Sequence, residues 1–494
     1  MQLHLRGVLY GKLYHTMSGC RIKLMNYSLP NEVKNILEKF KKAKFQIYIV
    51  GGAVRDLLME KGVKDWDFTT DAKPEEIIKL FPEGFYDNKF GTVGIPIEVG
   101  KDTLDGGRLK RSVIHDSSEV EVYEITTMRK EGVYKDYRHP DKVAWTDKIE
   151  QDLGRRDFTV NAIALSVIPT NVGIQLTDPF NGQQDMKDKI IKAVGDPGKR
   201  FQEDALRLIR AIRIATQLEF DIDEKTYSAI KKNAHLLKEV SRERIRDELF
   251  KILASGNPHS GIVKLRETGL LQIILPELER CFGIVQEGPK HDRVYDIGNH
   301  SLLTLQHTPS TDPLTRFAAL LHDIGKPDTV NTAQDGNVTF YHHDVIGGKL
   351  ILKIGKKFNL SKKQKDKLYR LVRWHLFTVD ENQTDSAIRR FIKNVGLDYI
   401  EDMMALRIGD RLGGGTQKAV SWRMEKFADR IKQVLKKPFS ISDLKVNGHD
   451  VMEVLKIKPG PKVGEILQKL FEEVLEDSSK NNRNYLIDRM KELG

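Results

Sequence analysis

The sequence predicts an α/β head on a long all-α body. Short β-branched and aromatic runs are confined to roughly the first 200 residues. Beyond that point, apolar residues recur at helical spacing and few strand-like alternations appear. At about 150 residues per domain, a chain of 494 residues has room for roughly three domains.

The elements follow in order. NEVKNILEKFKKAK (31–44) spaces its apolar residues as an amphipathic helix, and FQIYIV (45–50) reads as a strand. Gly51-Gly52 ends that strand, and AVRDLLME opens a helix. KDWDFTT (64–70) and EVEVYEITTM (119–128) read as further strands, with a long polar loop at 101–118 between them. The run after Arg155-Arg156 reads as apolar and helical, and Asp178-Pro179-Phe180-Asn181-Gly182 is a turn signal. RFQEDALRLIRAIRIATQ (200–217) reads as one helix. Near the C-terminus a Pro-Gly-Pro turn at 459–461 precedes an amphipathic helix. No internal repeat or low-complexity segment is visible.

Composition narrows the function classes. With 39% hydrophobic and 31% charged residues, the chain can build real cores, which excludes a disordered protein. Lys and Arg number 81 against 70 Asp and Glu, a net charge of +11, so a polyanion is a natural partner, although Lys-rich enzymes without one exist. The only cysteines, Cys20 and Cys281, exclude a disulfide framework or a Cys-rich zinc site and point to a reducing compartment, the cytoplasm. No window approaches the ~18 uninterrupted apolar residues of a transmembrane helix, so no membrane partner is expected. Residues 1–24 are basic and patternless and precede Met25, so they read as a disordered extension or a miscalled start.

The head carries paired carboxylates behind a glycine turn. Glycines between strand and helix let the backbone approach a phosphate, the helix N-terminus adds unpaired N–H groups, and Arg55 adds charge one turn in. Taken alone, Gly51-Gly52 is an ordinary tight turn. Asp65 and Asp67, two apart on a strand, share a face and repel unless a cation sits between them. Mg²⁺ suits such oxygen donors together with substrate phosphates. Glu124, mid-strand between apolar residues, is the candidate third carboxylate; the bland alternative is an exposed strand residue.

The next segment is basic. Arg155 and Arg156 suit a triphosphate or an RNA backbone. At about 100° per residue, Arg207, Arg210 and Arg213 fall on one arc, opposite Ala205, Leu208, Ile209, Ile212 and Ala215. That stripe is either a solvated face or a wall against a nucleotide. Asp204 and Arg207 together can present hydrogen bonds to a base edge.

His-Asp dipeptides occur at 115–116, 291–292, 322–323, 343–344 and 449–450, so the dipeptide alone means nothing here. Context separates them. His300, His322, Asp323, His343, His375 and Asp410 lie on different expected helices and can converge on one metal, although each histidine alone reads as a core or surface residue.

GGAVRDLLMEKGVKDWDFTT, VYEITTMRKEGVYKDYRHP, QDLGRRDFTVNAIA, DPFNGQQDMKDKII and RFQEDALRLIRAIR, in that order, resemble the class II tRNA nucleotidyltransferases and bacterial poly(A) polymerases over roughly residues 30–270. The resemblance implies a polymerase-β-like nucleotidyltransferase head, a neck, and a helical body and tail. It implies template-independent addition of C, C and A to tRNA 3′ ends, with tRNA, CTP and ATP as partners and Mg²⁺ as cofactor. Residue by residue, Asp65 and Asp67 look like the metal carboxylates, and Gly52 and Arg55, beside Gly51, like triphosphate contacts. Arg156 matches the second arginine of the RRD motif. Asp204 and Arg207 look like the base-reading pair, and Arg210 and Arg213 would line the same pocket. Asp157 sits in that nucleotide site, with a structural role favoured over a catalytic one. RKEGVYKDYRHPDKV matches the family's flexible loop; the insert at 101–118 and IPTNVGIQ (168–175) are longer than usual, which bears on RNA positioning.

The histidine–aspartate set resembles the HD phosphohydrolase superfamily, which occurs within many bacterial members of the same family. That implies a second divalent metal and phosphatase or cyclic phosphodiesterase activity. The segment 447–475 resembles the C-terminal segment of Bacillus-type CCA-adding enzymes, a tRNA-docking or packing element. The expected organisation is an extension (1–24), head (25–170), neck (171–270), HD-type body (271–430) and tail (431–494). A poly(A) polymerase, or an enzyme adding only CC or only A, shares every motif quoted. A phosphohydrolase whose head merely holds RNA, and a non-enzymatic tRNA binder, are rivals from other classes, and the Asp65/Asp67 pair counts against both.

Overall fold

A computed structural model of the chain describes residues 21–22, 29–63, 65–86, 91–98, 120–132, 143–168, 173–286, 295–332, 334, 338–377, 379, 383–416, 418–435 and 441–494. The polar loop at 101–118 lies outside the described residues, as do residues 133–142, residues 169–172 and the dipeptides at 115–116 and 291–292. The chain divides into two compact units, one of residues 1–248 with 267–273 and the other of 249–266 with 274–494.

The first unit is built on a sheet. Its elements are β1 (Arg21–Ile22), α1 (Asn31–Lys42), β2 (Ile47–Val50), α2 (Gly52–Leu58), β3 (Asp67–Thr70), α3 (Pro74–Leu80), β4 (Phe85–Tyr86), β5 (Thr92–Glu98), β6 (Val120–Thr127), β7 (Arg129–Glu131) and β8 (Val143–Trp145). There follow α4 (Ile149–Gly154), β9 (Ala164–Ile168), β10 (Gly173–Thr177), α5 (Gly182–Lys187), α6 (Pro197–Glu203), α7 (Leu206–Leu218) and α8 (Glu224–Asn233). Eight strands pair in the order β1-β10-β9-β2-β3-β6-β5-β4, antiparallel except for β3 beside β6. α1 buries Val33, Ile36, Leu37 and Phe40, the spacing of one helical face, into a core shared with Ile49, Phe68, Ile95 and Ile125 of the sheet. Burying each such side chain contributes about 1.5–3 kcal/mol. Val50, Ala164 and Leu153 belong to a second core.

Four local expectations change. Asp65 is an exposed bend residue; the strand begins at Asp67, after Trp66 turns into the core. The run after Arg156 is a short 3-10 turn (Thr159–Asn161) and then the strand β9, not a helix. Period two explains it: Leu165 and Val167 pack into the first core while Ala164 packs into the second, and β2 and β10 supply the ladder. The helix expected over 200–217 breaks at Asp204, whose backbone is extended (φ −135°, ψ 106°) and whose carboxylate accepts from Leu206 N at 3.1 Å, at the start of α7. Finally, β10 carries the head sheet past 170, and Arg21–Ile22, expected within a disordered extension, pair with Gln175 and Ile174 at the sheet edge.

Helix α9 (Arg242–Leu253) runs across the division between units, and α10 (Pro258–Glu267), α11 (Leu270–Ile274) and α12 (Pro276–Glu279) follow. The second unit continues with α13 (Ile297–His307), α14 (Pro313–Leu321), α15 (His343–Lys357), α16 (Lys362–Arg373), α17 (Asp385–Val395), α18 (Ile400–Gly413) and α19 (Trp422–Leu435). α20 (Gly448–Leu455), α21 (Pro461–Glu476) and α22 (Arg483–Leu493) close a small core around Leu470, Val474, Leu486 and Met490. Gly325 makes one close approach possible: a Cβ there would collide with the carbonyl oxygen of His343 and lie 2.6 Å from Gly347 N. The end of α14 therefore reaches the start of α15 only with glycine at this position.

Candidate active site and metal centre

The turn between β2 and α2 gathers the head's chemistry. Val50 pairs with Asp67 across the two strands, so Gly51 leaves β2 beside the Asp67 carboxylate. Gly51 has φ +71° and ψ −137°, a backbone that L residues rarely adopt. A Cβ on it would sit 3.1 Å from Arg156 Nη1 and 3.2 Å from Asp67 Oδ2. Turn, carboxylate and guanidinium thus meet at one point. Burial raises the Asp67 carboxyl above its usual range; Arg156 opposes the shift and Asp65 adds to it. Glu124, exposed on β6, is in parallel register with Asp67. Among the described residues, no three ligand atoms of the head lie within 4.8 Å of one another, so Asp65, Asp67 and Glu124 do not form a closed cage. Their hard oxygen donors fit Mg²⁺, which usually keeps waters and substrate phosphates among its ligands.

Residues that sequence reasoning passed over hold the arginines. Asp152, on α4, is fully buried. It pairs with Arg155 at 2.8 Å and Arg156 at 3.5 Å, three and four residues on. Burial alone would raise its pKa, but the two guanidiniums outweigh that and hold it low. That helical spacing was the available signal. Arg156 Nε has no hydrogen-bond partner among the described residues, which leaves capacity for an anion. Asn161 was missed too: it accepts from Arg55 Nη1 at 2.9 Å and donates to Asp157 at 3.3 Å. Asp157 in turn accepts from Arg210 Nε at 2.9 Å and Nη2 at 2.6 Å. One hydrogen-bonded line, Arg55–Asn161–Asp157–Arg210, therefore ties α2 to α7.

The expected base-reading pair is not a pair in this structure. Asp204 accepts from Arg244 at 3.0 Å. Arg207 donates to Glu203 at 2.7 Å and to the carbonyl of Arg155 at 2.8 Å. Arg213 pairs with Glu248 at 2.5 Å, so the stripe is a set of ion pairs and not a bare solvated face.

In the second unit the six expected residues do converge. His300 comes from α13, His322 and Asp323 from the end of α14, His343 from the start of α15, His375 from just after α16, and Asp410 from α18. They form two adjoining trios, His300/His322/Asp410 and Asp323/His343/His375, each with ligand atoms within 4.8 Å, where one metal was expected. Asp323 reaches both: Oδ2 lies 3.2 Å from His322 Nε2, and Oδ1 lies 3.3 Å from His343 Nε2. The Nδ1 atoms of His322, His343 and His375 lie 2.8, 2.7 and 2.7 Å from the carbonyls of Ala319, Phe340 and Val372. A proton assigned to each Nδ1 leaves the three Nε2 atoms aimed inward, the arrangement a metal needs, and at His322 the metal would take the place of an Nε2 proton. Burial would lower His322, but Asp323 and Asp410 outweigh it and push it up to about 10. Lys326, also missed by sequence reasoning, pairs with Asp323 Oδ2 at 2.6 Å.

A strand, a glycine turn onto a helix N-terminus and a carboxylate on the adjacent strand, set in a mixed sheet, define a nucleotidyltransferase head. Residues 47–192 match the Poly A polymerase head domain and 219–282 the RNA- and SrmB-binding site of polymerase A. Residues 297–401 match the HD domain and 351–490 the second domain of tRNA nucleotidyltransferases. The CCA-adding enzyme of Ligilactobacillus salivarius is 31% identical over 470 residues, covering 94% of this chain and 98% of that protein. That of Lactobacillus helveticus is 45% identical over 226 residues, 46% of this chain and 50% of that protein. The chain belongs to the CCA-adding enzyme family. The crystal structure of the Bacillus stearothermophilus CCA-adding enzyme in complex with CTP shares the fold, with a TM-score of 0.62, 24% identity, and coverage of 93% of this chain and 96% of that one. No helix among the described residues is long and apolar enough to cross a membrane.

Proposed function

We propose that this enzyme adds C, C and A in turn to tRNA 3′ ends, taking CTP and then ATP and using no nucleic-acid template. The observation that carries the reading is the meeting of the Gly51 backbone, Asp67 and Arg156 at one point in a nucleotidyltransferase head. The RNA 3′-oxygen bonds to the α-phosphorus of the nucleotide, and the bond from that phosphorus to the pyrophosphate breaks. The backbone at Gly51-Gly52, with Arg55 and Arg156, holds the triphosphate. Asn161 orients Arg55, and Asp152 orients Arg156. Asp65 and Asp67, with Glu124 alongside, would hold Mg²⁺, which would supply the charge for activating the 3′-hydroxyl and for the leaving pyrophosphate. Asp204 and Arg207 read the base edge, oriented by Arg244 and Glu203. Arg210 and Arg213, fixed by Asp157 and Glu248, shape the pocket behind them.

A second reading concerns the other unit. Two adjoining trios of nitrogen and oxygen donors, with Asp323 of one touching His322 of the other, favour a pair of divalent metals and phosphoester hydrolysis there.

The test uses a tRNA transcript ending at the discriminator base, Mg²⁺, and CTP, ATP or both. Two additions with CTP, and a third only when ATP joins, are expected. A ladder of adenylates from ATP alone would make the enzyme a poly(A) polymerase. No extension under any mixture would shift the activity to the histidine–aspartate centre.

A further inference from the structure

We infer that Thr159 and Asp185 are positioning residues for the triphosphate of the bound nucleotide, a role that rests on reading Arg55 as a triphosphate contact. Arg55 donates to Asn161 Oδ1 at 2.9 Å. Asn161 ends a 3-10 turn of three residues, Thr159–Asn161. So short a turn has few hydrogen bonds of its own, and their geometry is poor. The aim of Asn161 therefore depends on what flanks the turn. On one side, Thr159 N donates to the carbonyl of Lys192 at 2.9 Å, and Val194 N donates to the carbonyl of Asp157 at 3.1 Å. On the other side lies α5. The Thr159 hydroxyl donates to Asp185 Oδ2 at 2.6 Å, a short bond to a carboxylate from a buried residue, which is the strong kind. Branching at Cβ leaves Thr159 stiff, so a fixed hydroxyl also holds the backbone two residues before Asn161.

Gly182 lets α5 come this close. A Cβ there would collide with the carbonyl oxygen of Thr159 and lie 2.8 Å from its carbonyl carbon. The left-handed residue of the turn is Asn181, at φ +58°, while Gly182 is helical. Glycine at 182 thus serves the approach to Thr159 and not the path of the chain. The segment 178–186 is itself pinned. Asp178 accepts from Gly182 N at 2.8 Å and from Gln183 N at 2.9 Å. Phe180 packs on the second core of the head and Met186 on the first. A plain connection out of β10 would call for the left-handed Asn181 but for neither Gly182 nor Asp185. The rigid element instead presses on Thr159, and through Asn161 it fixes where the Arg55 guanidinium points.

The test is binding of CTP, ATP and inorganic pyrophosphate to the full chain with Mg²⁺, together with KM and kcat for nucleotide addition. Thr159→Val keeps the shape and removes the hydroxyl, and Asp185→Ala removes the acceptor. Each should weaken all three ligands by one common factor of about three- to tenfold, the loss of one hydrogen bond. The triphosphate is common to both nucleotides, so KM should rise alike for CTP and ATP while kcat changes less than about twofold. Thr159→Ser and Asp185→Asn, which keep the donor and an acceptor, should restore most of the binding. In an Asn161→Ala background, Asp185→Ala should cost less than about twofold more, because both act along one line. If Asp185→Ala fails to fold, Thr159→Val against Thr159→Ser decides. Unchanged binding in Thr159→Val, weakening of one nucleotide alone, a fall in kcat at constant KM, or no rescue by Thr159→Ser overturns the inference. Arg55→Met separates it from the reading beneath it. If that variant binds CTP as the wild type does, the triphosphate reading of Arg55 falls. If it binds CTP weakly while Thr159→Val binds normally, the role of Thr159 and Asp185 falls alone.

Discussion

Asp157→Asn tests whether Asp157 is a positioning residue. The wild-type carboxylate accepts from both nitrogens of Arg210, from Phe158 N at 2.8 Å and from Asn161. An asparagine has one oxygen and no charge, so Arg210 loses its counter-ion and one donor goes unmet. Removing one partner of a buried pair costs about 3–5 kcal/mol. The Arg210 side chain keeps 37% of its surface open, against 9% for Asp157, so water recovers part of that cost. A loss of about 2 kcal/mol follows. The assay is urea unfolding read by exchange in 155–168, with Arg210→Met and the double variant completing a cycle. Arg210 holds Asp157 well below the usual carboxylate range, outweighing burial. A group depressed in the native state contributes stability above its unfolded value near ~3.9 and loses it as pH falls through the native one. The gap between wild type and variant should therefore be flat from about pH 8 to 5 and narrow only in stronger acid. Asp157 is tied through Asn161 to Arg55, the proposed triphosphate contact, so KM for CTP should rise more than kcat falls. A coupling below about 0.5 kcal/mol, or a gap that closes between about pH 7 and 5, would refute the reasoning.

Gly51→Ala should abolish nucleotide addition and destabilise the head by about 1–3 kcal/mol, because φ +71° with ψ −137° is strained for alanine and the new methyl enters the space between Arg156 and Asp67; thermal melting and primer extension check this. Arg207→Ala should blur the choice between CTP and ATP more than it slows turnover; Arg244→Ala should do so more weakly, since Arg244 orients Asp204 at 3.0 Å; unchanged choice in both would sink the base-reading role. Asp323→Asn should remove divalent metal from the second unit, measured by elemental analysis after dialysis, because Asp323 belongs to one trio and touches the other.

The chemistry was legible where it is local and obscure where it is tertiary. Asp65-X-Asp67 follows Gly51-Gly52 closely along the chain, and the Asp67 carboxylate does lie beside that turn. The partners that aim the side chains come from far along the chain: Asn161 is 106 residues from the Arg55 it orients, and Arg244 is 40 from Asp204. An arginine stripe can be read from periodicity, but its counter-ions cannot. Asp204 shows the limit best. Its place one turn before Arg207 invites a pair on one helix, yet Asp204 ends α6 with an extended backbone and its carboxylate accepts from Leu206 N two residues on. The His-Asp dipeptides make the same point. In His322-Asp323 both residues enter the centre, in 343–344 only His343 does while Asp344 pairs with Arg373, and in 449–450 Asp450 completes the capping box at Asn447. What distinguishes them is the turn at Gly325, which brings the end of one helix against the start of the next. A glycine two residues after the dipeptide therefore says more about the metal centre than the dipeptide does, because glycine alone permits the approach that makes the two helices share ligands.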